Sequence, residues 1–176
     1  MVYSDTYKFV VLVNKELEGE MGRTMNAIAH SCAGLVNSAD EELREKMSFI
    51  DFNDKDGVSH KSISGLSLII LRGKNSELKK AKDKFKEAGI HYTDFVETMT
   101  GDTYKEQLEK TSLMTDEDMK YFCVAAFGKK DDIEPITKRF SLWRWKKGTE
   151  LIFHKREKLT PSPFFQLSFF SLFFLF

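Results

Sequence analysis

Lys8-Phe9-Val10-Val11-Leu12-Val13, a run of apolar and β-branched residues that ends at the polar Asn14-Lys15, decides the fold. A run without apolar/polar alternation reads as a strand buried on both faces, and such strands lie in the middle of a sheet. Beyond a loop, Asn14 to Gly22, the residues Met21, Met25, Ile28, Cys32, Leu35, Val36 and Ala39 recur at steps of three and four. That spacing predicts a helix whose apolar stripe packs on the sheet.

Further units of the same kind follow. Ser38-Ala39-Asp40 and Glu41-Glu42-Leu43-Arg44-Glu45 continue or restart a polar helix, and Met47 to Phe52 leads into Asn53-Asp54-Lys55-Asp56-Gly57. Asp56-Gly57 is a turn signal, so a small hairpin or protruding loop is expected there. Leu66-Ser67-Leu68-Ile69-Ile70-Leu71 predicts a second buried strand. Asn75 or Ser76 then stands in a capping position, and a helix from Glu77 to Ala88 stops at Gly89. His91 to Thr98 predicts a third strand, and Thr103 with Glu106 forms a capping box for a short charged helix. Tyr121 to Phe127 reads as a fourth strand. Asp131 to Glu134 offers a further capping box for a helix through Lys138, with Pro135 in its first turn, before the extended piece Phe140-Ser141-Leu142-Trp143. Strands alternating with helices define an α/β layer architecture, with a mostly parallel or mixed sheet and helices on both faces.

The chain has 176 residues, 27 Lys+Arg balanced by 27 Asp+Glu, and 41% hydrophobic residues. This length suits one domain, and the balance excludes a charge-extended disordered chain and any global signature of nucleic-acid binding. Cys32 and Cys123 lie far apart, and the opening residues carry no secretory leader, so both are expected as reduced thiols in the cytoplasm. The α/β domain is expected over 1–157. Leu159-Thr160-Pro161-Ser162-Pro163 opens a tail, 158–176, with seven phenylalanines and no charge from Phe164 to Phe176. As a helix that stretch reaches about 20 Å, short of the roughly 30 Å hydrocarbon core, so it does not span a membrane alone. Three readings stand: an extension foreign to the fold, a segment that packs on this chain or a partner, and a membrane contact.

On the first helix, at about 100° per residue, Arg23, Asn26, His30 and Asn37 share one sector, opposite Met25 and Cys32 and with the small Ala27 and Gly34 between them. The helix begins at the carboxyl end of the central strand, where open α/β sheets tend to bind ligands. Arg23 suits a carboxylate or phosphate, Asn26 a polar group, and His30 proton transfer. The plainer account of the same spacing is a solvated face with small residues that let another element approach.

Other chemistries do not fit. His30-Ser31-Cys32 places two metal-ligating types on nearly opposite sides of a helix, and Asp51 to Gly57 fails as a calcium loop because Lys55 falls at a ligand position. No metal or cofactor is expected, nucleotide fingerprints are absent, and Ser31 and Cys32 lack a base that would make either a nucleophile. The loop carries Glu16, Glu18 and Glu20 against Lys15 and Arg23, an acidic rim that weakens the case for nucleic-acid binding, tRNA included.

Residues 8–13, Gly22-Arg23 with Ala29-His30-Ser31-Cys32-Ala33, and Val124 to Gly128 followed by Asp132 to Trp143 resemble the type 2, archaeal and eukaryotic-type peptidyl-tRNA hydrolases over most of residues 7–144. The Asn26 and His30 helix, the Asp56-Gly57 loop and the Leu142-Trp143-Arg144 ending are more similar still to a conserved family of unknown function sharing that fold. The resemblance implies a mixed four-stranded sheet between helices, a homodimer, and a site where Arg23 matches a lysine and His30 a helix histidine. It also sets Ala27 where the hydrolases have glutamine and Thr98 near their site aspartate, removing groups that orient water or polarise an ester. The expected site is therefore Arg23, Asn26, His30, Thr98 and Thr100 around a small anionic or polar ligand, with Arg23 and His30 the catalytic candidates. An ester hydrolase and a non-catalytic interaction module are the alternatives.

Overall fold

The opening apolar run becomes β1 (Tyr7–Asn14), and Val10 to Asn14 are each no more than 1% exposed. A computed structural model of the protein describes residues 6–101 and 103–144. Expectations for the end of the domain near Glu157 and for the Phe-rich tail lie outside the described residues.

After a single 3-10 turn, Lys15–Leu17, come α1 (Met21–Asn37) and α2 (Glu41–Lys46). The chain continues through β2 (Phe49–Asn53), β3 (Ser59–Ser64), β4 (Leu68–Gly73), α3 (Asn75–Glu87) and β5 (His91–Val96). A second 3-10 turn, Glu97–Met99, leads to α4 (Tyr104–Ser112), β6 (Tyr121–Lys129), α5 (Lys130–Thr137) and β7 (Ser141–Leu142).

The main sheet has the order β5-β6-β1-β4-β7, with β1 and β4 parallel and the other neighbours antiparallel. It has five strands, not the expected four. The additional strand is only two residues long, but it caps the edge of β4, and the Trp143 N–H donates to the Ile70 carbonyl at 3.0 Å. An uncovered β4 would present a row of unpaired backbone groups. β2 and β3 form a separate hairpin whose turn is held by the Asp54 carboxylate, which accepts from the N–H groups of Asp56 and Val58 at 3.0 and 2.9 Å. Gly57 there has φ +81°, a conformation that disfavours any side chain.

The sheet is the middle of three layers. Phe9, Val11 and Val13 face Ala27, Ile28 and Leu35 of α1, while Val10 and Leu12 face Leu78, Ala81 and Phe85 of α3 and Ile133 of α5. Each fully buried Leu or Phe in these layers contributes about 2–3 kcal/mol.

Two helix starts differ from expectation. α3 is capped at Lys74, whose N–H donates to the Glu77 carboxylate at 2.6 Å. Asn75 instead joins the helix to β6: its Oδ1 accepts from the Tyr121 N–H at 2.7 Å, and its Nδ2 donates to the Met119 carbonyl at 3.2 Å. α5 begins at Lys130, directly after β6, so Pro135 sits inside the helix and not in its first turn.

A polar knot borders the α3 layer. Lys82, 7% exposed, donates to Asp116 at 2.5 Å and to the Tyr121 hydroxyl at 2.9 Å, and that hydroxyl donates to Asp116. Burial works against the Lys82 ammonium, but its hydrogen bonds to Asp116 and Tyr121 outweigh that effect and raise its pKa. The hydrogen bond from Lys82, then that from Tyr121, lowers the Asp116 carboxyl to about 2. Burial, reinforced by the bond to Asp116, pushes the Tyr121 phenol up to about 12.

Candidate functional site

The orientation of α1 differs from the reading of its apolar stripe. Its buried residues are Thr24, Ala27, Ile28, Ser31 and Leu35, whereas Met21 and Met25 are 44% and 49% exposed. Thr24 tolerates burial because its hydroxyl donates to the Leu17 carbonyl at 3.2 Å. With Ala27 at the centre of the contact, Arg23, Asn26 and His30 lie within about 100° of the buried direction, flanking the sheet instead of opposing it.

That rotation turns the polar sector toward β5. The Thr93 hydroxyl donates to the Ser31 carbonyl at 2.7 Å, and the His30 ring stacks on Phe95 with centroids 5.6 Å apart. Two antiparallel steps, β1 to β6 and β6 to β5, make β5 run parallel to β1, so β1, β4 and β5 all finish at the same end of the sheet.

Beside the end of β5 lies a cleft of about 780 Å³. Arg23, Asn26 and His30 of α1 line one side, Asp94 and Phe95 of β5 line the base, and Met99, Thr100 and Gly101 border it. Tyr104, Gln107, Leu108 and Thr111 of α4 close the opposite side. Four of the five expected site residues therefore border one cavity, and Thr98 stands behind it. The Thr98 hydroxyl is 2.8 Å from that of Thr111; because Thr111 donates to the Gln107 carbonyl, Thr98 is the donor between them. Asn37, from the same sector of α1, is exposed and not part of the cleft.

The Arg23 guanidinium lies 5.8 Å from the Phe122 ring centroid and 2.9 Å from the Glu20 carboxylate, both partners of the pair being about half exposed. Asp94 contributes to the base from the β5 backbone, with its side chain on the α3 face of the strand beside Tyr92 and Val96. Burial raises its carboxyl above the ordinary range, Lys82 partly opposes the shift, and Asp116 adds to it. Burial also raises the thiols of Cys32 and Cys123, the latter to about 12, so neither is a ready thiolate.

The acidic rim is corrected. Glu16 is 3.3 Å from Lys120, Glu18 is paired with Arg72, and Glu20 with Arg23, so each carboxylate faces a cation. Two of these cations come from distant parts of the sequence, which is why the local composition read as acidic.

Sequence reasoning missed the wall supplied by α4. The signal for the wall was the i, i+4 pair Tyr104 and Leu108 on a helix otherwise dominated by charge. A second concavity, of about 610 Å³, lies at the other end of the sheet and includes Lys46, Lys86, His91 and Lys129. Its imidazole is already held, with Nε2 donating to the Leu35 carbonyl at 2.8 Å, and Lys46 is paired with Glu42. Among the described residues, no helix is long and apolar enough to cross a membrane.

These features define a three-layer α/β protein with a cleft at the finishing ends of its parallel strands. The chain belongs to the family described as "Protein of unknown function (DUF2000)", whose model matches residues 7–144. No curated protein matches it. Among solved structures it is similar to a protein of unknown function from Agrobacterium tumefaciens strain C58, with TM-score 0.66 and 18% identity, over 79% of this chain and 98% of that one. At that identity the likeness shows the fold.

Proposed function

We propose that this protein binds a small anionic or polar ligand in the cleft between α1 and α4. The observation that carries the reading is the convergence of Arg23, Asn26, His30 and Thr100 on one cavity of about 780 Å³, within the size range of small-molecule sites. Arg23 supplies a planar donor for a carboxylate or phosphate, and Asn26 and Thr100 supply groups that fix orientation. Calorimetric titration of the protein with small carboxylates and phosphate esters tests this. Binding that Arg23→Ala weakens about tenfold supports the reading; absence of binding, or binding indifferent to both Arg23→Ala and His30→Ala, overturns it.

A second reading is an ester hydrolase of the type 2 peptidyl-tRNA hydrolase kind, acting on peptidyl-tRNA or a smaller acyl ester. His30 favours it, because the cleft lining then includes an imidazole beside the Arg23 guanidinium. Arg23 would stabilise charge developing on the ester and His30 would take the proton from water. Turnover of peptidyl-tRNA or acyl esters, abolished by both Arg23→Ala and His30→Ala, establishes this reading; no turnover by the intact protein rejects it. Assembly as a homodimer, which the same resemblance implies, is read by light scattering on the full chain and on a chain ending at Lys158.

A further inference from the structure

We infer that the ligand is an amphipathic monoanion, a carboxylate bearing an acyl or aryl group, with its head at Arg23 and its apolar part against α4. This deepens the binding reading above and rests on it.

The two sides of the cleft differ in chemistry. α1 presents a guanidinium, an amide and an imidazole. α4 presents Tyr104 and Leu108, 76% and 54% exposed, both of which line the cleft. Four residues apart on a helix, these side chains share one face. Met99 and Phe95 extend the apolar lining toward the base. None of the residues of α4 is buried, so this face is not packed into the core. A compact polar ion held at Arg23 would leave the Tyr104 and Leu108 face in water, whereas an acyl or aryl group would cover it.

Charge selects the head. Arg23 is the one Arg or Lys among the described residues lining this cleft, and it is already paired with Glu20. A dianionic phosphate would meet one guanidinium that already has an acid partner. A carboxylate carries a single charge, matches the planar fork of arginine, and leaves the remaining volume for an apolar group.

The test is a titration of the full chain with acetate, butyrate, hexanoate, phenylacetate and inorganic phosphate, with repeat titrations of Arg23→Gln, Tyr104→Ala and Leu108→Asn. Affinity is expected to climb about threefold to fourfold per methylene from acetate to hexanoate, the value of burying each CH₂. Phenylacetate is expected to bind more tightly than acetate, and phosphate most weakly. Arg23→Gln weakens every carboxylate, while Tyr104→Ala and Leu108→Asn flatten the dependence on chain length. Leu113→Asn, which alters an exposed leucine just beyond α4 and outside the cleft lining, retains that dependence. Carboxylates that bind through Arg23 with no dependence on chain length overturn the amphipathic inference and leave the binding reading standing, as does phosphate binding most tightly. If none of the five anions binds, both fail.

Discussion

The Arg23 guanidinium sits 2.9 Å from the carboxylate of Glu20, the residue immediately before α1. Glu20 is therefore a built-in competitor for any anion that approaches the cleft. Because the pair is half exposed, it contributes little to folding, and Glu20→Gln is expected to shift stability by less than about 0.5 kcal/mol. The same change should tighten carboxylate binding roughly 1.5- to 5-fold at low ionic strength, with the gain shrinking as salt is added. Titration at two salt concentrations checks both the size and the screening.

Asp94 gives a second prediction. Its carboxyl pKa is raised in the fold, by burial first, with Lys82 opposing and Asp116 adding. A raised carboxyl pKa means that the folded state penalises the charged form; the penalty is complete above the folded pKa and disappears below the ordinary value of 3.8. Asp94→Asn should accordingly melt at a higher temperature than the parent near pH 7, with the two curves converging in acid. A parent that is the more stable at neutral pH contradicts this assignment.

Tyr121 shows the opposite end of the pH range. Its phenol titrates near 12 instead of 10, because of burial and then the bond to Asp116. The associated stability is complete below pH 10 and is lost as pH rises through about 12. Ultraviolet titration should show Tyr121 ionising late, and Tyr121→Phe should remove that step and flatten the alkaline fall in stability.

Gly73 closes β4 beneath Phe140. A Cβ added there would lie 2.5 Å from the Phe140 ring, a distance at which the ring must move. Gly73→Ala is expected to destabilise the protein by about 1–3 kcal/mol, the usual range for overpacking, as read by urea unfolding. Gly89→Ala should also destabilise, for another reason: nothing crowds that Cβ, but φ is +64°.

How much of this was legible in the sequence depends on the range of the interaction. Local signals carried through: the unbroken apolar run of β1, the Asp56-Gly57 turn, the stop at Gly89, and the Thr103–Glu106 box, in which the Thr103 N–H donates to Glu106 at 2.8 Å. Arg23, Asn26 and His30 were also legible, because helical spacing alone sets them side by side. What escaped depends on partners distant in the chain. Ser141-Leu142 becomes a strand only by pairing with Leu71 and Arg72, Glu16 and Glu18 find their cations at Lys120 and Arg72, and Asn75 serves β6 instead of its own helix. The rotation of α1 escaped for a different reason. Thr24 and Ser31 count as polar in any hydropathy pattern, yet both are buried, with exposures of 1% and 2%.

The absence of buried residues from α4 has a consequence for how such a protein can change. The helix that carries Arg23 packs on the core through Ala27, Ile28 and Leu35, so altering its backbone would disturb the whole domain. The opposite wall hangs outside that core, and its side chains can be exchanged at little expense to folding. If the cleft binds as proposed, new preferences for the hydrocarbon portion of a guest would be written into Tyr104 and Leu108 while Arg23 stays as it is, which would make this helix the target for redesigning selectivity.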